Sequence, residues 1–125
     1  MKWKLDFLKQ QRILLITVSE LFSLEEQKMM FESIVSFTGW NPQIPILFDN
    51  RELDMQDVYG DTIRESVAVL SQFIAKYPGL KIAGLVKDNI NFGLGRQFEN
   101  YSQAKREIAF RLFKDEDQAF DWLKT

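Results

Sequence analysis

Four short apolar runs, each followed by a stretch with helical spacing, constrain this chain more than any other feature. Arg12–Val18 (RILLITV), Ile46–Phe48, Leu80–Val86 (LKIAGLV) and Glu107–Phe113 (EIAFRLF) are the right length and composition for strands. RILLITV and LKIAGLV are nearly continuous in apolar character, as expected of strands covered on both faces. Between them lie helical stripes. Met30, Phe31, Ile34, Val35 and Phe37 predict a helix over Leu24–Phe37, with Ser23 as N-cap, Glu26 at capping-box spacing and Gly39 beyond the end. Ile63, Val67, Leu70 and Ile74 make one stripe over Thr62–Tyr77, with Asp61 as the expected cap and Pro78-Gly79 as the stop. Arg96–Lys105, carrying Phe98, Tyr101 and Ala104, reads as a third helix. Ala119, Phe120, Trp122 and Leu123 belong to a last one, capped by Asp115 or Asp117.

Ahead of these units, Trp3–Leu8 alternates with Trp3, Leu5 and Phe7 on one face. Only a short polar stretch separates it from RILLITV, so the two are expected to form an opening β-hairpin. Residues 40–43 read as a loop, Pro45 as the start of the next strand, and Leu53–Gly60 as irregular. The order β-β-α-β-α-β-α-β-α predicts an α/β domain: an N-terminal hairpin, then βα units, a five-stranded mixed sheet with a parallel core, and about four helices. At 125 residues, with no linker or repeat, one domain spanning 1–125 is expected.

Composition removes whole classes of chemistry. The chain has no cysteine and no histidine. Disulfides, thiolate nucleophiles, Cys-type zinc sites, the commonest general base at neutral pH and the commonest metal ligand all go with them. No cofactor or metal is expected. The net charge is −2 with both signs interspersed, and no basic block marks a nucleic-acid footprint. No apolar run is long enough to span a bilayer, and MKWKLDFLKQQR lacks the apolar stretch of a signal peptide, so a cytoplasmic location is expected. Eleven phenylalanines are many for this length. Most belong in the core, with a few left for an interface.

The hairpin start, the strand ending in FDNRE, the FGLGRQFE segment and the closing FRLFKDEDQAFDWL together resemble the SpoIIAA-like group of the STAS fold (sulfate transporter and anti-sigma-factor antagonist). The closing similarity lies in Phe110–Phe113, Asp115–Asp117, Ala119 and Trp122-Leu123. The resemblance covers nearly the whole chain and rests on packing motifs. It implies a small non-enzymatic regulatory or protein-interaction domain with an unidentified protein partner, and it is compatible with a homodimer. Antagonists of this group carry a phosphorylatable serine, in an Asp-Ser-type motif, after the third strand. Here that strand is followed by Asp49-Asn50-Arg51-Glu52, and no serine occurs between Asp49 and Arg64. Ser66 lies inside the helical pattern, so no phosphosite is assigned.

In open parallel sheets, ligands sit beyond the carboxyl ends of the strands. That rim should hold Ser19, Glu20, Asp49 to Glu52, Lys87 to Asn89, Gly93 to Arg96 and Lys114-Asp115. Gly93 and Gly95 would let an anion approach a helix N-terminus, and Arg96 could pair with it bidentately. The dinucleotide fingerprint needs a third glycine where Phe98 stands, and the glycines equally suit a positive φ or close packing. Asp49 with Lys114 lacks the second early acid that a magnesium-dependent phosphoreceiver requires. Glu20, Asp49, Asp88 and Asp115 are the carboxylates that could converge, but no enzyme is expected. The alternative to an interaction domain is a small-ligand-binding domain, holding an anion at Gly93, Gly95 and Arg96 with Asp49 and Arg51 nearby, or an apolar ligand between sheet and helices. Trp40, Tyr59 and Phe92, in expected loops, either form an interface or fold back over helix ends.

Overall fold

The structure is a computed structural model that describes residues 1–56, 58–87 and 109–125. Among these residues the order is β1 (Lys2–Leu8), β2 (Ile13–Leu21), α1 (Leu24–Val35), β3 (Ile46–Asp54), α2 (Gly60–Ala75), β4 (Lys81–Leu85), β5 (Ala109–Phe113) and α3 (Glu116–Leu123). The expected helix over Arg96–Lys105 lies outside the described residues. The five strands form one mixed sheet in the order β1-β2-β3-β4-β5. The hairpin β1–β2 is antiparallel, from Lys2 opposite Ser19 to Leu8 opposite Ile13. The three remaining pairs are parallel.

Alternation along the strands divides the core into two layers. On one face Leu14, Ile16, Ile46, Phe48, Ile82, Phe110 and Leu112 pack with Met30, Phe31 and Ile34 of α1 and Leu70, Phe73 and Ile74 of α2. On the other face Ile13, Leu47, Ala83 and Leu85 pack with Ala119 and Leu123 of α3. Both faces of the central strands are therefore buried, which is why their sequences read as nearly unbroken apolar runs. Trp3, Leu5 and Phe7 of β1 are half-buried against the α1–α2 layer, and the Trp3 indole donates to Ser33 Oγ at 3.0 Å.

Several boundaries differ from the sequence expectation, each for a local reason. The strand expected at Ile46–Phe48 continues through the polar residues to Asp54. It can do so because β2 also runs on to Leu21, and the two keep pairing past a register shift: Thr17 opposes Asp49, and Ser19 opposes Glu52. α2 is capped by Tyr59, without a side-chain hydrogen bond. Asp61, the expected cap, lies in the first turn and pairs with Arg64 at 3.2 Å, where a carboxylate still meets the positive end of the helix dipole. Ser23 does cap α1, its Oγ accepting from Glu26 N–H at 3.3 Å, while the Glu26 carboxylate holds the Met1 ammonium. α1 stops at Val35 with Ser36 as C-cap, and Gly39 takes a φ of 101° in the turn that follows. Asp115 caps α3, accepting from Gln118 N–H at 3.1 Å.

Ile46 is fully buried and is paired with Leu14 on one side. On its other side it meets Ile82. Ile46→Ala is expected to lower the unfolding free energy by about 2–5 kcal/mol, measured by urea denaturation. Val35→Ala, at an exposed position on α1, should change it by less than about 0.5 kcal/mol.

Candidate functional site

Each parallel strand delivers its carboxyl end to the same edge of the sheet, and α1 and α2 start there. Between these helices and the sheet lies a cavity of about 90 Å³. Its wall is mainly apolar: Met30 and Phe31 from α1, Leu70 from α2, and Phe48, Phe110 and Leu112 from the strands. Met1, Phe22, Asn50 and Met55 also line it and are half-buried, so they form its mouth. None of the described lining residues carries a charged side chain.

Among the described lining residues, three carry polar side chains. Gln27 and Ser66 are the buried polar residues among those described, at 6% and 3% exposure. They bond each other across the α1–α2 interface: Ser66 Oγ donates to Gln27 Oε1 at 2.9 Å, and Gln27 Nε2 donates to the Ser66 carbonyl at 3.4 Å. An unpaired amide in this position would cost about 1–3 kcal/mol, which the reciprocal pair largely offsets. The third is Asn50, at the carboxyl end of β3. Its neighbours Asp49 and Arg51 point to the opposite side of the strand.

On that opposite side the sequence-predicted residues Asp49 and Arg51 bind each other. Arg51 Nε donates to Asp49 Oδ1 at 2.9 Å and Nη2 to Oδ2 at 2.8 Å, a bidentate pair. The Arg51 backbone N–H adds a bond to Asp49 Oδ1 at 3.2 Å, and Glu116 of α3 lies 3.9 Å from Nη2. Burial raises the Asp49 pKa, but the hydrogen bonds and charge of Arg51 outweigh it and hold the carboxyl below its ordinary range. The same carboxylate raises the Arg51 pKa against the effect of burial. This pair braces the bulged stretch of β3 and is turned away from the cavity.

Gly93, Gly95 and Arg96 lie outside the described residues, as does Phe92. Of the other rim charges, Glu20 pairs with Lys2 at 3.4 Å, and Asp115 is committed to its cap. Among the described residues no cluster of carboxylates is arranged to hold a metal ion. Trp40 folds back: its indole donates to the Ile44 carbonyl at 3.1 Å, and its ring stacks on Phe73 and meets Tyr77 edge-on. Tyr59 is 71% exposed. Among the described residues no helix is long and apolar enough to cross a membrane.

Sequence reasoning did not single out Gln27 or Asn50, and it took Ser66 only as a rejected phosphosite. A signal was present for two of them. Gln27 falls on the same stripe as Met30, Phe31 and Ile34, and Ser66 on that of Ile63, Leu70 and Phe73, so each places a polar group where the helix period demands an apolar one. A scan against protein-family models finds no match for this chain, and a search of curated proteins likewise finds none.

Asp49→Asn should cost about 1 kcal/mol at neutral pH, the scale of a partly exposed ion pair. A carboxyl whose folded pKa is depressed contributes stability above its unfolded pKa and loses it as the pH falls through the folded value. The difference between wild type and variant in urea denaturation should therefore shrink on acidification. A constant difference would show that the carboxylate charge does not hold the bulge.

Proposed function

We propose that this chain is a non-enzymatic regulatory domain that binds a small, largely apolar molecule between its α1–α2 pair and the sheet. The observation that carries this reading is the apolar cavity at the carboxyl edge of the parallel strands, with a few convergent polar groups and no charged side chain among its described lining residues. Acid–base catalysis needs a titratable group at the reacting centre; the sequence supplies neither histidine nor cysteine, and none of the described lining side chains of the cavity is acidic or basic. The hairpin followed by parallel strands agrees coarsely with the SpoIIAA-like resemblance, and within that group the output would be contact with a protein partner in the cytoplasm. Ser66 is buried and bonded to Gln27. That weighs against Ser66 as a phosphorylation switch.

Methionine-methyl NMR during titration with cyclopentane tests this reading. Met30 and Met55 line the cavity, while Met29 is 56% exposed on the outside of α1. Saturable shifts are expected at Met30 and Met55 with Met29 unmoved. Equal shifts at all three methyls, or no saturable shift with cyclopentane and with its alcohol, ketone and carboxylate analogues alike, would sink the proposal.

A further inference from the structure

We infer that the cavity selects an uncharged ligand bearing one hydroxyl or carbonyl group, read by the Asn50 amide with the Gln27–Ser66 pair behind it. The inference rests on the ligand-binding reading above and gives the ligand its chemistry. Asn50 stands two residues after Phe48 on β3, half-buried at the cavity mouth. Its side chain makes no hydrogen bond among the described residues, although Asp49 and Arg51 on either side are fully engaged with each other. A primary amide offers two N–H donors and a carbonyl acceptor. Gln27 commits its oxygen and one N–H to Ser66 and keeps the second N–H, while the Ser66 hydroxyl keeps acceptor capacity. The cavity thus presents neutral donors and acceptors on an apolar wall.

Charge is disfavoured for a ligand of either sign. A buried carboxylate or ammonium needs an opposite charge and further hydrogen bonds to offset its desolvation. Here the Met1 ammonium is already held by Glu26, and no described lining side chain is acidic or basic. Size narrows the class further. At about 90 Å³ the space is smaller than the roughly 150 Å³ cavity that takes benzene, so the part of a ligand seated inside it is a body of about five or six non-hydrogen atoms. Met1, Met30 and Met55 contribute adaptable walls that can yield to a somewhat larger one.

The test is a matched series on the full chain: cyclopentane, cyclopentanol, cyclopentanone and cyclopentanecarboxylate, each followed by the Met30 and Met55 methyl shifts. A hydroxyl or carbonyl buried without a partner weakens binding relative to the hydrocarbon. With Asn50 and Gln27 available, the alcohol or the ketone is expected to bind at least as tightly as cyclopentane, and the carboxylate not to saturate. Asn50→Leu should cost that polar compound tenfold or more while cyclopentane holds or gains affinity. Ser66→Ala, which frees the Gln27 Oε1 while its Nε2 keeps the backbone carbonyl, should shift the polar ranking again without removing cyclopentane binding. Tenfold weaker binding of both polar compounds by the wild type overturns the inference and leaves a plain hydrocarbon site, and this ranking decides even if Asn50→Leu folds poorly. Tightest binding of the carboxylate overturns it in favour of an anion. Failure of all four compounds removes the ligand-binding reading itself.

Discussion

The one-directional order of the sheet is the constraint from which the rest follows. Every parallel step moves to the next strand in the same direction, and crossover connections keep one hand. α1 and α2 must then lie on the same face, packed side by side over the same strands. Their N-terminal turns arrive together at the carboxyl edge, which brings Gln27 in the first turn of α1 to Ser66 in the second turn of α2. α3 follows β5 and covers the opposite face at β4 and β5. The cavity and the polar pair are consequences of topology before they are consequences of any individual residue.

β3 shows how one strand serves two environments at once. Its period of two sends Phe48 and Asn50 toward the helices, and Leu47, Asp49 and Arg51 toward the α3 side. Asp49 and Arg51 are thereby kept on a half-buried face where they satisfy each other. Arg51 answers both carboxylates within reach, so Asp49 and Glu116 do not repel across an empty gap. The arrangement separates a cavity whose described lining side chains are uncharged from a charged rim, across the thickness of a single strand.

How far residues alone can be read depends on whether a signal is local. The helical stripes and apolar runs are local, so the hairpin, the parallel core and the helix positions follow from RILLITV, LKIAGLV and the Ile63–Ile74 stripe. The extension of β3 is not local: DNRE carries no strand signal and is held extended by β2, which itself runs on past Val18. Because that stretch reads as a loop, Asn50 merges with its charged neighbours and its separate orientation is hidden. Gln27 and Ser66 were within reach as polar interruptions of apolar stripes, yet their meeting across two helices needs the tertiary register. Tyr59 displaces Asp61 as N-cap because a first-turn carboxylate satisfies the helix dipole from either place.

A neutral cavity gains its selectivity more from penalty than from attraction. Replacing one water-bonded polar group by a protein-bonded one yields little net affinity. A ligand that covers Asn50 without answering its amide strips water from donors and acceptors and returns nothing. The mouth position moderates this, since Asn50 is half-buried and keeps partial access to solvent. Gln27 is more severe, because it is buried and lines the cavity, so a ligand that meets it without a polar group leaves its second N–H unanswered. On the ligand-binding reading, solvent softens the penalty at the half-buried Asn50, and the buried Gln27–Ser66 pair behind it adds to the discrimination that Asn50 begins.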